Sequence, residues 1–532
     1  MTNISDPSIS KVRFSKSSIW DSQKKFFDFQ GANAWDGKVP FYITSNVFIA
    51  YSYANMFVQF MQEWPKKSVI DNQPFYIVEL GAGTGMFGFY LIREILKLQA
   101  RLHLNLPFVY VMSDFTENNI QFWREHHDLQ KFVKDGILGF SRFDMTVDDK
   151  IVIELNGVAN FKTIDVKNQA SKPLLVIANY VFDSVPCDLF YISSGKFQEG
   201  KISEKTNSTS PKLKDFKEAI TEDVFKITYH DTSLPFYKEK KYDAILKKCK
   251  KEQNTILFFP TTSLDCLKNL MKISHGKLFV IASDKAYGRF HKSYSSQKLQ
   301  IASHGSFSIN VDYHIIDEYS RLCMGSCYHQ NTQRSLNTSV FTFGFKIDKF
   351  VETLSTITHY IDVEGPAHLF NVYEHFNRTK EDCSTAELFS YLNIFHWDPH
   401  ILNKCIELLL SKADNLTNIE ITELVEGMNK SVSMFYHVPW EVSFFDNIAA
   451  LFYKIKYYQN ALQYYRLSMK YSKKPGFTYY NIGLCYFLLN RYDAALDSFT
   501  KALSFDHIDN NVLKKRITET KKMIAKKITL NG

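Results

Sequence analysis

The sequence predicts an α/β protein. A doubly wound sheet domain carrying an insertion is followed by an all-α middle region and a C-terminal array of short helical repeats. Three observations carry this reading. The apolar run Phe75 to Val78 ends in an acid, Glu79, and passes straight into Gly81, Gly83 and Gly85. Two later apolar runs, Phe108 to Met112 and Leu174 to Ala178, end in Asp114 and Asn179. After Trp440 the pattern of small and aromatic residues repeats.

The glycine turn, Glu79-Leu80-Gly81-Ala82-Gly83-Thr84-Gly85, opens an amphipathic helix with Phe87, Leu91, Ile95 and Leu98 on one face. Strand, glycine turn and helix form the crevice where a doubly wound sheet holds a nucleotide-like cofactor. The spacing is G-x-G-x-G, and Met86 stands where a dinucleotide fingerprint has its last glycine. A diphosphate needs a helix N-terminus and close backbone approach; a cofactor without phosphate needs only the tight turn. A ligand-free βα turn is the alternative, but the acid, three glycines and both flanks together favour a cofactor.

Residues 1–70 read as helices and loops leading to the first strand. Within them Ala34 to Asn46 is extended and turn-rich, either a cover for the cofactor or a surface loop with a buried Trp35. Asp114 ends the second strand, where such folds bind ribose hydroxyls, and Phe115 follows it. Asp144 either receives an adenine amino group or caps a helix, and Met145 can pack on the ring. The third run delivers Asn179 and Tyr180 to the carboxyl edge of the sheet, and Pro186 forces a sharp exit.

Residues 195–253 interrupt the alternation with a lysine-rich, partly helical stretch. It is a lid, a dimerisation element or a solvated face. The sheet pattern resumes at Ile256 to Pro260 and Lys277 to Ala282, with closing strands expected within 304–314 and 339–345. His304 and His314 are further catalytic candidates, or packed core histidines. Residues 346–435 are helical by pattern, with Ser384 and Asp414 as capping residues. Ala449, Phe452, Ala461, Tyr465 and Ser468 return as Gly483, Tyr486, Ala495, Phe499 and Ala502, each 34 positions on (483 − 449 = 34). This period and pattern resemble the tetratricopeptide repeat, with 511–528 as a capping helix. The boundaries that follow are 1–194 with 254–345 for the cofactor-binding domain, 195–253 for the insertion, 346–435 for a helical middle domain and 436–532 for the repeats.

Composition bounds the function. A chain of 532 residues exceeds one hydrophobic core and is enough for about three domains. A net charge of +8 is mild for this length and falls short of a nucleic-acid signature. The 8 cysteines have no framework spacing. Cys323, Cys327 and His329 come nearest to a metal cluster but lack a fourth ligand, and Pro399 separates His396 from His400, so no metal site is expected. The N-terminus has no apolar signal core and no stretch reads as a membrane span, which makes a cytoplasmic location the expectation.

Glu-Leu-Gly-Ala-Gly-Thr-Gly resembles the first motif of class I S-adenosylmethionine (SAM) methyltransferases. The resemblance implies a Rossmann-like domain with SAM as cofactor and S-adenosylhomocysteine as product. It implies a SAM site at Glu79, Gly81, Ala82, Gly83, Gly85, Asp114, Phe115, Asp144, Met145 and Asn179. Asn179 to Pro186 is similar to the MidA-type protein methyltransferases, which carry Asn-Glu-x-Phe-Asp-Ala-x-Pro; Tyr180 replaces their Glu. Asn310 to Tyr313 echoes their His-Val-Asp-Phe-type element. The whole architecture resembles the rickettsial protein lysine methyltransferases, which modify surface autotransporter proteins (outer membrane protein B). That implies an extended or unfolded polypeptide substrate presenting lysines. Asn179 and the Tyr180 backbone would position the amine and Asp183 would orient the strand end. The alternatives are a MidA-like arginine methyltransferase assisting respiratory complex assembly, and a non-catalytic SAM-binding scaffold. The absent Pro-Pro motif disfavours a nucleobase acceptor, so nucleic acid is not an expected partner. A homodimer stays open.

Overall fold

The computed structural model describes residues 9–37, 39, 42–65, 73–155, 161–163, 172–205, 227–251, 254–288, 301–303, 306–331, 336–505 and 509–531. The chain divides into two compact units, Met1–Tyr373 and Glu374–Gly532.

The first unit is built on a Rossmann-like sheet. Its strands are β1 (Phe75–Leu80), β2 (Phe108–Asp114), β3 (Leu138–Arg142), β4 (Leu174–Asn179), β5 (Leu278–Tyr287), β6 (Cys327–His329) and β7 (Leu336–Phe343). Their order is β6-β7-β5-β4-β1-β2-β3, and beyond β3 the sheet continues into Val152–Leu155 and Phe161–Thr163. From β3 to β5 neighbouring strands run parallel; β7 is antiparallel to both β5 and β6. β1, β2 and β7 are buried along their whole length, as strands covered on both faces should be. Winding reverses between β1 and β4, so their carboxyl ends open a crevice at the switch point. Four helices surround it: α1 (Ser18–Gln30), α2 (Val47–Glu63), α3 (Met86–Arg101) and α4 (Glu117–Glu125). Ser17, Asn46 and Thr116 cap α1, α2 and α4 through side-chain oxygens, whereas α3 starts directly from Gly85.

A second, antiparallel sheet joins Ile9–Arg13, Lys196–Lys205, Asp188–Ser193 and Thr255–Phe259, with Ile227–Thr232 on the other side of Lys196–Lys205. The run from Ile256 therefore does not resume the central sheet as expected; it pairs with Asp188–Ser193. A continuous apolar run announces burial without saying which sheet buries it. The helix Lys240–Cys249 lies within the expected insertion and buries Tyr242, Ile245, Leu246 and Cys249. Lys212, Lys214 and Lys217, counted in that insertion, lie outside the described residues.

Of the two expected closing strands, the later one is β7. The earlier becomes a small hairpin, Ile301–Ser303 with Phe307–Ile309, and then Val311–Asp312, which runs parallel to the end of β5. Asp312 Oδ2 accepts from the Phe258 backbone N–H at 3.0 Å, fastening the second sheet to this edge.

The second unit is helical throughout its described elements. Ser384 caps Thr385–Ile394 in a reciprocal box with Glu387. Asp414 does not cap a helix as expected: it sits in a 3-10 turn and pairs with Lys454, and Thr417 caps Asn418–Met434 instead. Helices Phe444–Lys454, Tyr458–Ser468, Pro475–Leu488 and Tyr492–Ala502 form two pairs followed by Asn510–Asn531. All ten residues of the 34-residue pattern are buried. The turns repeat as well, since Lys456 and Asn490 (490 − 456 = 34) both take positive φ after a helix. Gly483 is small because its Cβ would come within 2.5 Å of Phe499 Cε1.

Candidate functional site

Gly81, Gly83 and Gly85 take φ of +61°, +56° and +77°. The turn is held from outside: the Ala82 N–H donates to Ser113 O (2.9 Å) and the Gly83 N–H to Asp114 Oδ2 (3.1 Å). Trp123 Nε1 donates to Gly83 O (3.0 Å). Trp123 also lies so near Gly85 that a Cβ there would meet its Nε1 at 3.0 Å. A left-handed turn pressed against Trp35 at Gly83 and Trp123 at Gly85 favours glycine at these positions.

Glu79 is buried beneath the turn and accepts from Tyr110 Oη at 2.9 Å. Burial pushes its carboxyl up to about 8, against the Tyr110 bond, which lowers it. Asp114 accepts four bonds: Gly83 N–H and Asn119 Nδ2 on Oδ2, Thr116 N–H and Oγ1 on Oδ1. Burial still raises its pKa above the ordinary carboxylate value. The expected ribose ligand is thus also the residue that ties the glycine turn to α4. Sequence reasoning missed Thr116, Asn119, Tyr110 and Trp123, which carry no spacing signal of their own.

Asp144 makes a local turn by accepting from Thr146 N–H (2.9 Å) and Oγ1 (2.6 Å), and it pairs with Lys24 of α1. Burial raises its pKa, but Lys24 and Thr146 outweigh burial and hold it below the ordinary value. Lys24 lies 5.8 Å from the Phe115 ring centroid.

At the end of β4, Asn179 Oδ1 accepts from Tyr53 Oη (3.0 Å), and its Nδ2 donates to Thr44 O (3.2 Å). Tyr180 sits at φ +54°, a strained conformation for a non-glycine residue and one common at functional sites. Its backbone N–H donates to Ser283 O (2.9 Å), so of the expected backbone contacts to an acceptor its carbonyl is the one left. Asp183 is buried; Ser184 Oγ donates to its Oδ1 (2.7 Å), Oδ2 meets no hydrogen-bond partner among the described residues, and the Lys285 charge bears on the carboxylate. Burial pushes the Asp183 carboxyl up to about 6. Behind it, Asp284 accepts from the Asp183 N–H (3.4 Å) and from Tyr313 Oη (2.6 Å). Burial and then the neighbouring Asp183 charge drive Asp284 far up.

These groups share one cavity of about 490 Å³. The glycine turn, Glu79, Asp114, Phe115, Asp144 and Met145 line it together with Asn179, Tyr180 and Asp183. Gly85 is not in the lining; its part is to start α3. Lys24, Gln23 and Trp20 of α1 also line the cavity, as do Lys285, Ser306 and Ser308. Gln23 links the walls, donating to Ser184 O (3.0 Å) and accepting from the Phe307 N–H (3.4 Å). In the sequence α1 is simply an amphipathic lead-in, and nothing there separates a lining residue from a solvated one. His314 is buried outside the cavity lining, and burial lowers it to about 3, which fits the core-histidine alternative. His304 lies outside the described residues. No helix among the described residues is long and apolar enough to cross a membrane.

Residues 477–508 match the tetratricopeptide repeat family model. No curated protein matches the sequence. Three solved structures from Burkholderia thailandensis are similar to the chain. One is an uncharacterised superfamily protein, 11% identical over 60% of this chain and 74% of that one, with a TM-score of 0.36. Another belongs to the same superfamily, is taken to be a methyltransferase and is bound to S-adenosyl-homocysteine. It is 14% identical over 58% and 71%, with a TM-score of 0.36. The third, an O-methyltransferase family protein, is 7% identical over 62% and 64%, with a TM-score of 0.26.

Proposed function

We propose that the chain is a SAM-dependent protein lysine N-methyltransferase. The observation that carries this reading is one cavity lined together by the glycine turn, Asp114, the strained end of β4 and the buried Asp183. The residues fit such a cofactor. The turn brings its backbone to the cavity wall, Asp114 stands at the second strand end, and apolar Phe115 and Met145 line the same cavity. In this reading Gly81 to Gly83 and Asn179 hold the amino-acid end of SAM. Asp114 takes the ribose by exchanging bonds from Asn119 or Thr116, and Met145 with Phe115 covers the adenine. When bound, SAM supplies an electrophilic methyl carbon on a sulfonium.

The chain's own residues do the rest. A lysine ammonium must lose a proton before its lone pair can attack. Asp183 Oδ2 is the group that takes that proton, and a pKa of about 6 leaves it ionised near neutrality. Burial against Tyr180 lowers the lysine pKa by desolvation, and Asn179, fixed by Tyr53 and Thr44, keeps the strand end still while nitrogen and methyl line up. The extended polypeptide substrate is gripped by the helical half of the chain. Residues 1–194 with 254–345 would form the catalytic domain, and the strands Lys196–Lys205 and Ile227–Thr232 of the insertion join its second sheet.

Asp183 also favours a second reading, since a buried carboxylate can clamp a guanidinium where MidA-like enzymes use the Glu that Tyr180 replaces here. Incubation with methyl-labelled SAM and candidate polypeptides, followed by fragmentation mass spectrometry, separates the two. Label on lysine Nζ is expected; label on arginine or on a nucleobase would overturn the lysine assignment.

A further inference from the structure

Three side chains that the cavity does not use meet at the far edge of the central sheet. Cys327 and His329 are two apart on β6 and so point to one face. Asp317 reaches them from the helix Tyr313–Leu322. Cys327 Sγ is 3.3 Å from His329 Nε2, His329 Nε2 is 3.7 Å from Asp317 Oδ2, and all three ligand atoms lie within 4.8 Å of one another. Around a tetrahedral zinc with bonds of about 2.0–2.3 Å, ligand atoms stand about 3.3–3.6 Å apart.

Ser339, paired with His329 across the neighbouring strand, supports the imidazole ring. Ser339 Oγ has one hydrogen and donates it to Asn337 Oδ1 at 2.9 Å. Ser339 Oγ also lies 2.9 Å from His329 Nδ1. Cys327 Sγ lies 3.3 Å from Nε2 and 3.6 Å from Nδ1, and Asp317 Oδ2 lies 3.7 Å from Nε2. A thiol sulfur, an imidazole nitrogen and a carboxylate oxygen thus converge. An outer hydrogen bond on the distal ring nitrogen is how proteins orient metal-ligating histidines. Asp317 has the corresponding support, holding Arg321 Nε and Nη2 at 3.0 Å each. Cys327 is also the one cysteine of the chain that is not fully buried.

We propose that Asp317, Cys327 and His329 bind a zinc ion, with Ser339 and Arg321 as outer support and the fourth position open to water. Thiolate, imidazole and carboxylate together suit zinc over magnesium or calcium. The ion fastens the three-residue edge strand β6 to the helix Tyr313–Leu322. It departs from the expectation of no metal site, which rested on the missing fourth ligand beside Cys323, Cys327 and His329; Asp317, ten residues before Cys327 and on a different element, stands in the cluster in place of Cys323.

The test uses the full-length chain, stripped with a chelator and titrated with zinc and with cobalt(II). The parent is expected to retain about one zinc per chain after desalting, as elemental analysis reads it. The cobalt form should show a thiolate-to-cobalt charge-transfer band. Cys327→Ser should lose that band, His329→Ala should lose zinc, and Ser339→Ala should weaken zinc by roughly 10–100-fold. Absence of the band in the parent, or the same band in Cys327→Ser, overturns the proposal. Because the parent spectrum alone can do so, the test stands even if a variant fails to fold.

Discussion

The indole of Trp35 lies against Gly83 so closely that a Cβ built on the glycine would come within 2.8 Å of its Cζ2 and Cη2. A larger residue there meets the leading segment before it meets any ligand. Two costs follow for Gly83→Ala: a left-handed φ worth about 1–2 kcal/mol, and displacement of Trp35. Calorimetry with S-adenosylhomocysteine should show affinity reduced by about tenfold or more. Adding Trp35→Ala should recover the part due to displacement and leave the part due to φ. Parental affinity in a folded Gly83→Ala variant would refute this account of the turn.

Asp114 is expected to couple cofactor affinity to the stability of α4. Asp114→Asn places an amide donor opposite the N–H groups of Gly83 and Thr116. Losing charge-assisted bonds costs about 1.5–3 kcal/mol each. Melting temperature and ligand affinity should therefore fall together, whereas Thr116→Val, which removes one bond to Oδ1, should lower both less. Affinity that falls with no change in melting would mean that Asp114 serves the ligand alone.

Glu79 carries a pH signature. Its folded pKa, raised by burial from 4.5 to about 8, makes the protonated form the better fit to the fold. That contribution to stability is fully present below about 4.5 and is lost as pH rises through about 8, on the order of 5 kcal/mol at most. Glu79→Gln keeps an acceptor for Tyr110 without the charge. Between pH 5 and 9 its melting temperature should fall by several degrees less than the parent's; equal slopes would show that Glu79 is not a buried, raised carboxyl.

What the sequence revealed follows from what is local. The turn at Gly81 to Gly85, the strand ends at Asp114 and Asn179, and the 34-residue repeat are each written in contiguous or periodic residues, and each is found in the structure. The walls of the cavity were not legible. Lys24, Gln23 and Lys285 reach it only because α1 and β5 converge there from distant parts of the chain. The same limit hid Asp317 from Cys327 and His329, and sent Ile256 to the wrong sheet. Pairing partners are long-range facts, and an apolar run does not carry them.

Asp183→Asn should leave S-adenosylhomocysteine affinity near the parental value while lowering kcat by about 10²–10⁴-fold. The ionised carboxylate is the competent form, so the parent's rate should climb as pH rises through about 6. It should climb again toward alkaline pH as lysine itself loses its proton. The variant should lose the lower rise and keep the upper one. A lower rise that survives in Asp183→Asn would assign the proton to another group.

The helical half is expected to grip the substrate. Its described residues bury the small and aromatic positions of both repeat pairs, and stacked helix pairs of this kind form concave grooves suited to extended peptides. Binding energy gathered there can align a lysine at the reacting centre. Cutting at residue 436 would be a poor test, because Phe435 stacks on Phe444 at 4.3 Å and Asn403 bonds to Glu441 and Asn447. The chain's own division falls after Tyr373. Removing 374–532 should leave S-adenosylhomocysteine affinity nearly unchanged and methylation of a short lysine peptide measurable. Methylation of a long polypeptide should drop sharply, mainly through KM. If a folded truncation methylates the long substrate at the parental rate, the helical half has another task and substrate binding belongs to the first unit.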